Sequence, residues 1–237
     1  MSTEDRIAGP PAVRVPAVIA RPVEARGGVV VLQEAFGLTT HIRSICQRLA
    51  AEGYLAIAPA LYHRAGAPVI DYSRMDLARP LMDELHVDGL KADIASSVAY
   101  LKDSGLRAGQ TAVLGFCMGG SVALYASTAF EFGAAVTFYG GGVSTGRFGM
   151  PPLKDLAPAI RCPWLGLFGA QDHTIPPEDI EALRSAVAES PAKTELVCYP
   201  EAGHGFNCDE RASFVPSAAA DAWQRTLAFL GAASSAG

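Results

Sequence analysis

No stretch of the 237 residues approaches the roughly 18 uninterrupted apolar positions of a membrane-spanning helix, so no membrane span is predicted. The opening MSTEDRIAGPPA has acidic residues where a secretory leader needs positive charge, and no apolar run follows it. Charge is also scarce: 18% of residues are charged, against about a quarter in an average soluble protein. No Lys/Arg-rich block interrupts a net charge of −5, which excludes nucleic acid as an expected partner. Five cysteines, an odd number spread over a chain of ordinary domain length, make no disulfide framework. These absences together predict a cytoplasmic protein in a reducing compartment. No internal repeat and no linker divide the chain, so residues 1–237 are expected to form one domain. Half the residues are apolar, enough for a large core.

What is present is an alternation of short apolar runs with longer stretches of helical period. Strands are predicted at Val13–Val15 and Ala17–Ala20 (a small N-terminal pair split by Pro16), Val29–Leu32, Tyr54–Ala58, Thr111–Gly115, Ala134–Tyr139, Trp164–Phe168 and Glu195–Tyr199. Helices are predicted over about 40–51, 74–86, 89–103, 118–129, 178–189 and 217–230, with 140–160 as a Gly/Pro-rich loop and the terminal GAASSAG frayed. The expected class is α/β, a mostly parallel twisted sheet with helices on both faces. In such a sheet, functional residues belong on loops leaving the carboxyl ends of strands.

The strongest local signal is Gly115-Phe116-Cys117-Met118-Gly119-Gly120, between the strand TAVLG and the helix SVALYAS. A G-x-nucleophile-x-G segment in that setting is a nucleophile elbow. Its glycines leave room where strand and helix pass each other, and the helix N-terminus favours a thiolate and an oxyanion. The plainer reading is a buried cysteine in a Gly-rich turn. A phosphate loop fits poorly, since neither a Walker sequence nor G-x-G-x-x-G is present.

An elbow nucleophile is followed in this fold by an acid and then a histidine. Asp172 stands just after the strand WLGLF, and His204 stands after ELVCY, between Gly203 and Gly205. Asp172 read alone is equally a turn residue, His204 a surface histidine, and His173 an alternative base. A zinc set of Cys198, His204 and Cys208 lacks a fourth ligand, so no metal is expected.

With QEAFGL (33–38), APALY (58–62), TFYGG (137–141), GAQDHTIP (169–176) and AGHGF (202–206), the chain resembles the dienelactone hydrolase (carboxymethylenebutenolidase-like) family over about residues 12–230. The resemblance implies an α/β-hydrolase fold and a cofactor-free hydrolase of carboxylic esters, opening enol lactones through Cys117, Asp172 and His204 and a thioester. It further implies that Glu34 contacts the resting thiol, and that the backbone N–H groups of Ala35 and Met118 form the oxyanion hole. Small-molecule esters or lactones are the implied partners, with the protein a monomer or small homo-oligomer.

One departure touches the substrate. The family's best-known members bind a substrate carboxylate through Arg and Tyr one helical turn apart. Here Arg74 precedes Ala78 and Arg79 precedes Asp83. Candidate substrate contacts are therefore Phe36, Tyr62, Arg64, Arg74, Arg79, Tyr139 and Phe206, with His63 and Tyr72 nearby; Tyr139 is read as either pocket lining or core. Two other functions stay open: a generalist carboxylesterase or thioesterase, and a non-catalytic protein with Cys117 as redox sensor. An acid and a histidine in register disfavour the sensor.

Overall fold

The computed structural model describes residues 2–8 and 14–235. Among these, eight strands share one sheet: β1 (Ser2–Ala8), β2 (Arg14–Ala20), β3 (Gly27–Leu32), β4 (Tyr54–Pro59), β5 (Thr111–Phe116), β6 (Ala134–Phe138), β7 (Trp164–Gly169) and β8 (Thr194–Tyr199). Their spatial order is β1-β2-β4-β3-β5-β6-β7-β8. Every pairing from β4 to β8 in that order is parallel, while β1 and β2 join antiparallel at one edge. Strands β3 to β7 are buried at every residue, as unbroken apolar runs between two helical layers should be.

The helices are α1 (Thr40–Ala51), α2 (Met75–Asp83), α3 (Val87–Asp103), α4 (Met118–Ala129), α5 (Leu153–Leu156), α6 (Pro177–Ala188) and α7 (Pro216–Ser235). On one face α1 packs on β2 and β4 and meets α7, where the Arg48 guanidinium lies 3.8 Å over the Trp223 ring. On the other, α3 covers β3 and β4, and α4 covers β5 and β6. Helix α1 shows how local sequence sets this arrangement. Thr39 caps it through a hydroxyl that accepts from the Ile42 N–H, and Ile42, Ile45, Cys46 and Leu49 repeat along its buried side.

The expected N-terminal pair of strands is not formed as predicted. Residues 14–20 make one continuous strand through Pro16, and its partner is the polar segment Ser2–Ala8, with Pro16 opposite Arg6. Proline lacks an N–H but keeps its carbonyl, which here accepts from Ala60 N at 2.8 Å. Val13 lies outside the described residues. Helix α2 ends at Asp83 rather than 86, and α3 begins at Val87 because the His86 ring accepts from Asp88 N as its cap. The 140–160 loop contains the short α5, and α7 runs on to Ser235, through most of the tail expected to fray. Ala236 and Gly237 are outside the described residues.

Strand register positions the functional edge. Leu32 lies opposite Gly115, Phe116 opposite Phe138, Phe138 opposite Leu167, and Gly169 opposite Tyr199. The parallel strands thus end together, and the segments following β3, β5, β6, β7 and β8 gather along one rim.

Candidate active site

Cys117 occupies that rim with φ +55° and ψ −119°, a backbone conformation that L residues rarely adopt. Such strain costs on the order of 1–3 kcal/mol and persists only where the surroundings enforce it. They do so by close approach. A Cβ on Gly115 would stand 1.9 Å from the Gly119 carbonyl oxygen, and one on Gly119 would stand 2.3 Å from that of Leu32. The turn is fixed by Cys117 N donating to Phe138 O, while the N–H groups of Gly120 and Ser121 donate to Cys117 O. Met118 opens α4, so its N–H has no acceptor within the helix.

His204 and Asp172 meet at this thiol. His204 Nδ1 lies 2.7 Å from Asp172 Oδ2. Asp172 Oδ1 is held by the Thr174 N–H at 2.8 Å and by the Thr174 hydroxyl at 2.6 Å. Asp172 is buried, yet its carboxyl is held below the usual range: burial pushes it up, and hydrogen bonds from His204 and Thr174 with the His204 charge outweigh that. His204 is raised to about 10: burial lowers it, but the Cys117 charge and hydrogen bonds to Asp172 and Cys117 prevail. Burial likewise pushes the Cys117 thiol up, and the charge and hydrogen bond of His204 reverse the sign, so it lies below an ordinary thiol. Glu34 opposes that lowering and Arg147 assists it. The pair is thereby biased toward thiolate and imidazolium.

Glu34 is fully buried just beyond β3, near enough to Cys117 for its charge to act on the thiol, and its hydrogen bonds go to other groups. Its Oε1 accepts from the Tyr139 hydroxyl at 3.3 Å and from Arg211 Nη1 at 3.4 Å, and Oε2 has no partner. Tyr139 is both core and site, with no exposure, its hydroxyl on Glu34 and its ring 5.1 Å from that of His204. Tyr62 is buried too; its hydroxyl donates to Ala35 O at 3.0 Å and reaches Met118 Sδ at 3.4 Å. The Ala35 N–H finds no acceptor among the described residues.

Other candidates are placed elsewhere. Arg64 forms a two-pronged pair with Asp93, both contacts 2.9 Å, and His63 joins the same carboxylate at 3.0 Å. Arg74 is exposed and paired with Asp76, and Arg79 is exposed. None of the three arginines expected near the substrate has a recorded contact with Cys117, His204 or Asp172: Arg64 and Arg74 are taken up by Asp93 and Asp76, and Arg79 is exposed. Phe36 packs edge-on against Tyr72 at 4.8 Å, and Phe206 is wholly buried among Phe138, Tyr139 and Tyr199. His173 is exposed.

Cys198, His204 and Cys208 do not converge. Among the described residues, His41, Cys208 and Asp209 bring one ligand atom each within 4.8 Å of one another. Burial, with the nearby Glu34 charge, raises the Cys208 thiol to about 11, which opposes thiolate ligation. A hollow of about 700 Å³, lined by Leu106, Thr111, Phe130 and Arg161, lies at the amino ends of strands, away from Cys117.

Three participants were not named from sequence. Thr174 carried a signal, since a hydroxyl two residues beyond an Asp closes an Asx-type turn. Arg211 and Arg147 carried none, because both sit in irregular segments without periodicity.

A mostly parallel sheet covered on both faces, with a strained cysteine at a strand-to-helix turn and His and Asp on later strand-end loops, defines an α/β-hydrolase. A solved structure, "Putative Dienelactone Hydrolase from Klebsiella pneumoniae subsp. pneumoniae MGH 78578", matches with a TM-score of 0.86 over 98% of both chains at 37% identity. The chain belongs to the dienelactone hydrolase family, whose model matches residues 15–234. Similar proteins include "Putative carboxymethylenebutenolidase" of Salmonella typhimurium, 41% identical over 218 residues, 90% of this chain and 81% of that protein. "Carboxymethylenebutenolidase" of Rhodococcus opacus is 33% identical over 207 residues, 85% of this chain and 79% of that one. The chain is thus a hydrolase acting on carboxylic ester bonds. No helix among the described residues is long and apolar enough to cross a membrane.

Proposed function

We propose that this enzyme opens dienelactone-like enol lactones through a Cys117–Asp172–His204 triad and a thioester, as a single domain needing no cofactor. The observation that carries the reading is the 2.7 Å His204–Asp172 contact behind a thiol strained into the elbow conformation. The Cys117 sulfur attacks the lactone carbonyl carbon, and the Ala35 and Met118 N–H groups receive the oxyanion. Collapse breaks the ring C–O bond and releases an enolate still tethered to the acyl group, which takes the proton from His204. Neutral His204 then accepts a proton from water as the hydroxide attacks the thioester, and the returning thiolate leaves the free acid. Asp172 fixes the imidazole tautomer and supports its positive form.

A thiolate is itself a good leaving group, so the tetrahedral intermediate reverts unless the ester expels something more stable. Enol and aryl esters meet that demand, and simple alkyl esters do not. The thiol needs reducing surroundings, in keeping with a cytoplasmic enzyme and five free cysteines. Exposed Arg74 and Arg79 favour a second reading, a generalist carboxylesterase or thioesterase for other activated esters.

The test is hydrolysis of an enol lactone and an aryl ester by the native protein and by Cys117→Ala. Turnover of both that disappears in the variant is expected. Activity surviving the substitution would sink the triad, and aryl-ester turnover with no lactone turnover would select the generalist.

A further inference from the structure

We propose that Gln33 and Tyr62 are positioning residues for ester hydrolysis, holding the segment that follows β3 so that the Ala35 N–H meets the developing oxyanion. The proposal rests on Cys117 being the nucleophile and on Ala35 and Met118 supplying the two N–H groups. Ala35 is wholly buried, and its N–H has no acceptor among the described residues. A buried donor left free in this way needs its peptide held from elsewhere. The support comes from the loop that follows β4.

Two bonds join the loops. The Gln33 side-chain oxygen accepts from the Leu61 N–H at 3.1 Å, and the Tyr62 hydroxyl donates to Ala35 O at 3.0 Å. The Gln33 amide nitrogen in turn donates to Glu34 O at 3.4 Å, an oxygen that the Gly37 N–H also meets at 3.4 Å. That oxygen belongs to the same peptide unit as the Ala35 N–H. Donors at the carbonyl end fix the plane of a peptide and polarise its N–H, which strengthens the bond made at the other end. Preorganised donors of this kind need no reorientation as charge develops. Both 3.4 Å contacts are long, and they have room to shorten as the oxyanion forms.

The chemistry of position 33 calls for an amide. The Leu61 N–H needs an acceptor and Glu34 O needs a donor; a carboxylate would repel the second, and an apolar chain would satisfy neither. Gln33 is fully buried, where an unmatched polar end is costly. Its main chain also abuts the elbow, since a Cβ on Gly119 would stand 2.5 Å from Gln33 O. Tyr62 touches the other half of the hole, its hydroxyl lying 3.4 Å from Met118 Sδ. Burial and then the Cys117 charge push the Tyr62 hydroxyl up, which keeps it a donor. Next to Tyr62, His63 and Arg64 fasten the same loop to Asp93, giving the clamp a fixed base.

The test applies two probes of Cys117 to Gln33→Met and Tyr62→Phe. With 2,2,2-trifluoroacetophenone the thiolate adds to the carbonyl carbon, and the C=O electron pair moves onto an oxygen that the two N–H groups must receive. Iodoacetamide alkylates the same sulfur with loss of iodide and forms no oxyanion. In Gln33→Met, kcat on para-nitrophenyl acetate and affinity for the ketone should each fall roughly 10-fold with KM within about twofold, less than the roughly 10²- to 10³-fold cost of deleting an oxyanion donor itself. Tyr62→Phe should lower both by about 3- to 10-fold, the worth of one neutral hydrogen bond. The rate and pH dependence of iodoacetamide labelling should stay native in both variants, which damage to the elbow would not allow. Native kcat and ketone affinity in both variants overturn the proposal. So does an equal loss in labelling, which would make the two residues supports of the thiolate. A native protein whose Cys117 takes up neither probe overturns the nucleophile reading and this one with it, whereas native uptake with unchanged variants overturns this one alone.

Discussion

Cys117 and Cys46 are both buried thiols, one at the turn from β5 into α4 and the other in the middle of α1. Burial acts on both in the same direction, toward the neutral thiol. Cys46 follows it and is pushed up to about 12, with the Arg43 charge and a backbone hydrogen bond too weak to matter. Cys117 ends below an ordinary thiol because His204 stands beside it, backed by Asp172. The helix adds to the contrast: Cys117 faces the positive end of α4, whereas a mid-helix side chain meets no net dipole. Low exposure therefore says nothing about reactivity until the partners are known.

Replacing the two sulfurs breaks the comparison most strongly. Cys117→Ala should lower kcat/KM on an activated ester by at least about 10³-fold with the thermal midpoint little moved, since a triad nucleophile has no substitute. Asp172→Asn should cost roughly 10²- to 10⁴-fold, because the amide stabilises neither the needed tautomer nor the imidazolium. Without Asp172 the raised His204 falls, its positive form is lost at lower pH, and the Cys117 thiol rises. Iodoacetamide labelling of Cys117 should then begin at higher pH in the variant than in the native protein, where it begins below the ordinary thiol range. Cys46 should stay unlabelled at neutral pH in the folded protein. The smallest effect belongs to Cys46→Ala: a loss of about 1–2 kcal/mol in stability by urea titration, with ester turnover retained.

The same contrast marks what the sequence disclosed. The elbow was legible because strand-to-helix crossing demands small residues at fixed spacing, and Gly115 and Gly119 meet backbone at contact distances only glycine allows. Asp172 and His204 were legible as residues just past apolar strands. Strand β1 was not, since STEDRIA is a polar, charged run without the apolar alternation that marks a strand. The partners of Glu34 were not legible either. Tyr139 lies 105 residues away and Arg211 lies 177 away, and only the assembled rim brings them to one carboxylate. Arg147 escaped for a related reason: a Gly-rich turn has no period from which a side chain's direction can be read.

Cys117, which the chain's sequence offers as one buried cysteine among several, is thus distinguished by its partners rather than by its burial. The most direct measurement of that claim is rapid acid quench of the native enzyme during turnover of an activated aryl ester, followed by peptide mass spectrometry. An acyl group is expected on the peptide carrying Cys117 and absent from those carrying Cys46, Cys162, Cys198 and Cys208. Acylation of another residue, with turnover persisting in Cys117→Ala, would contradict it.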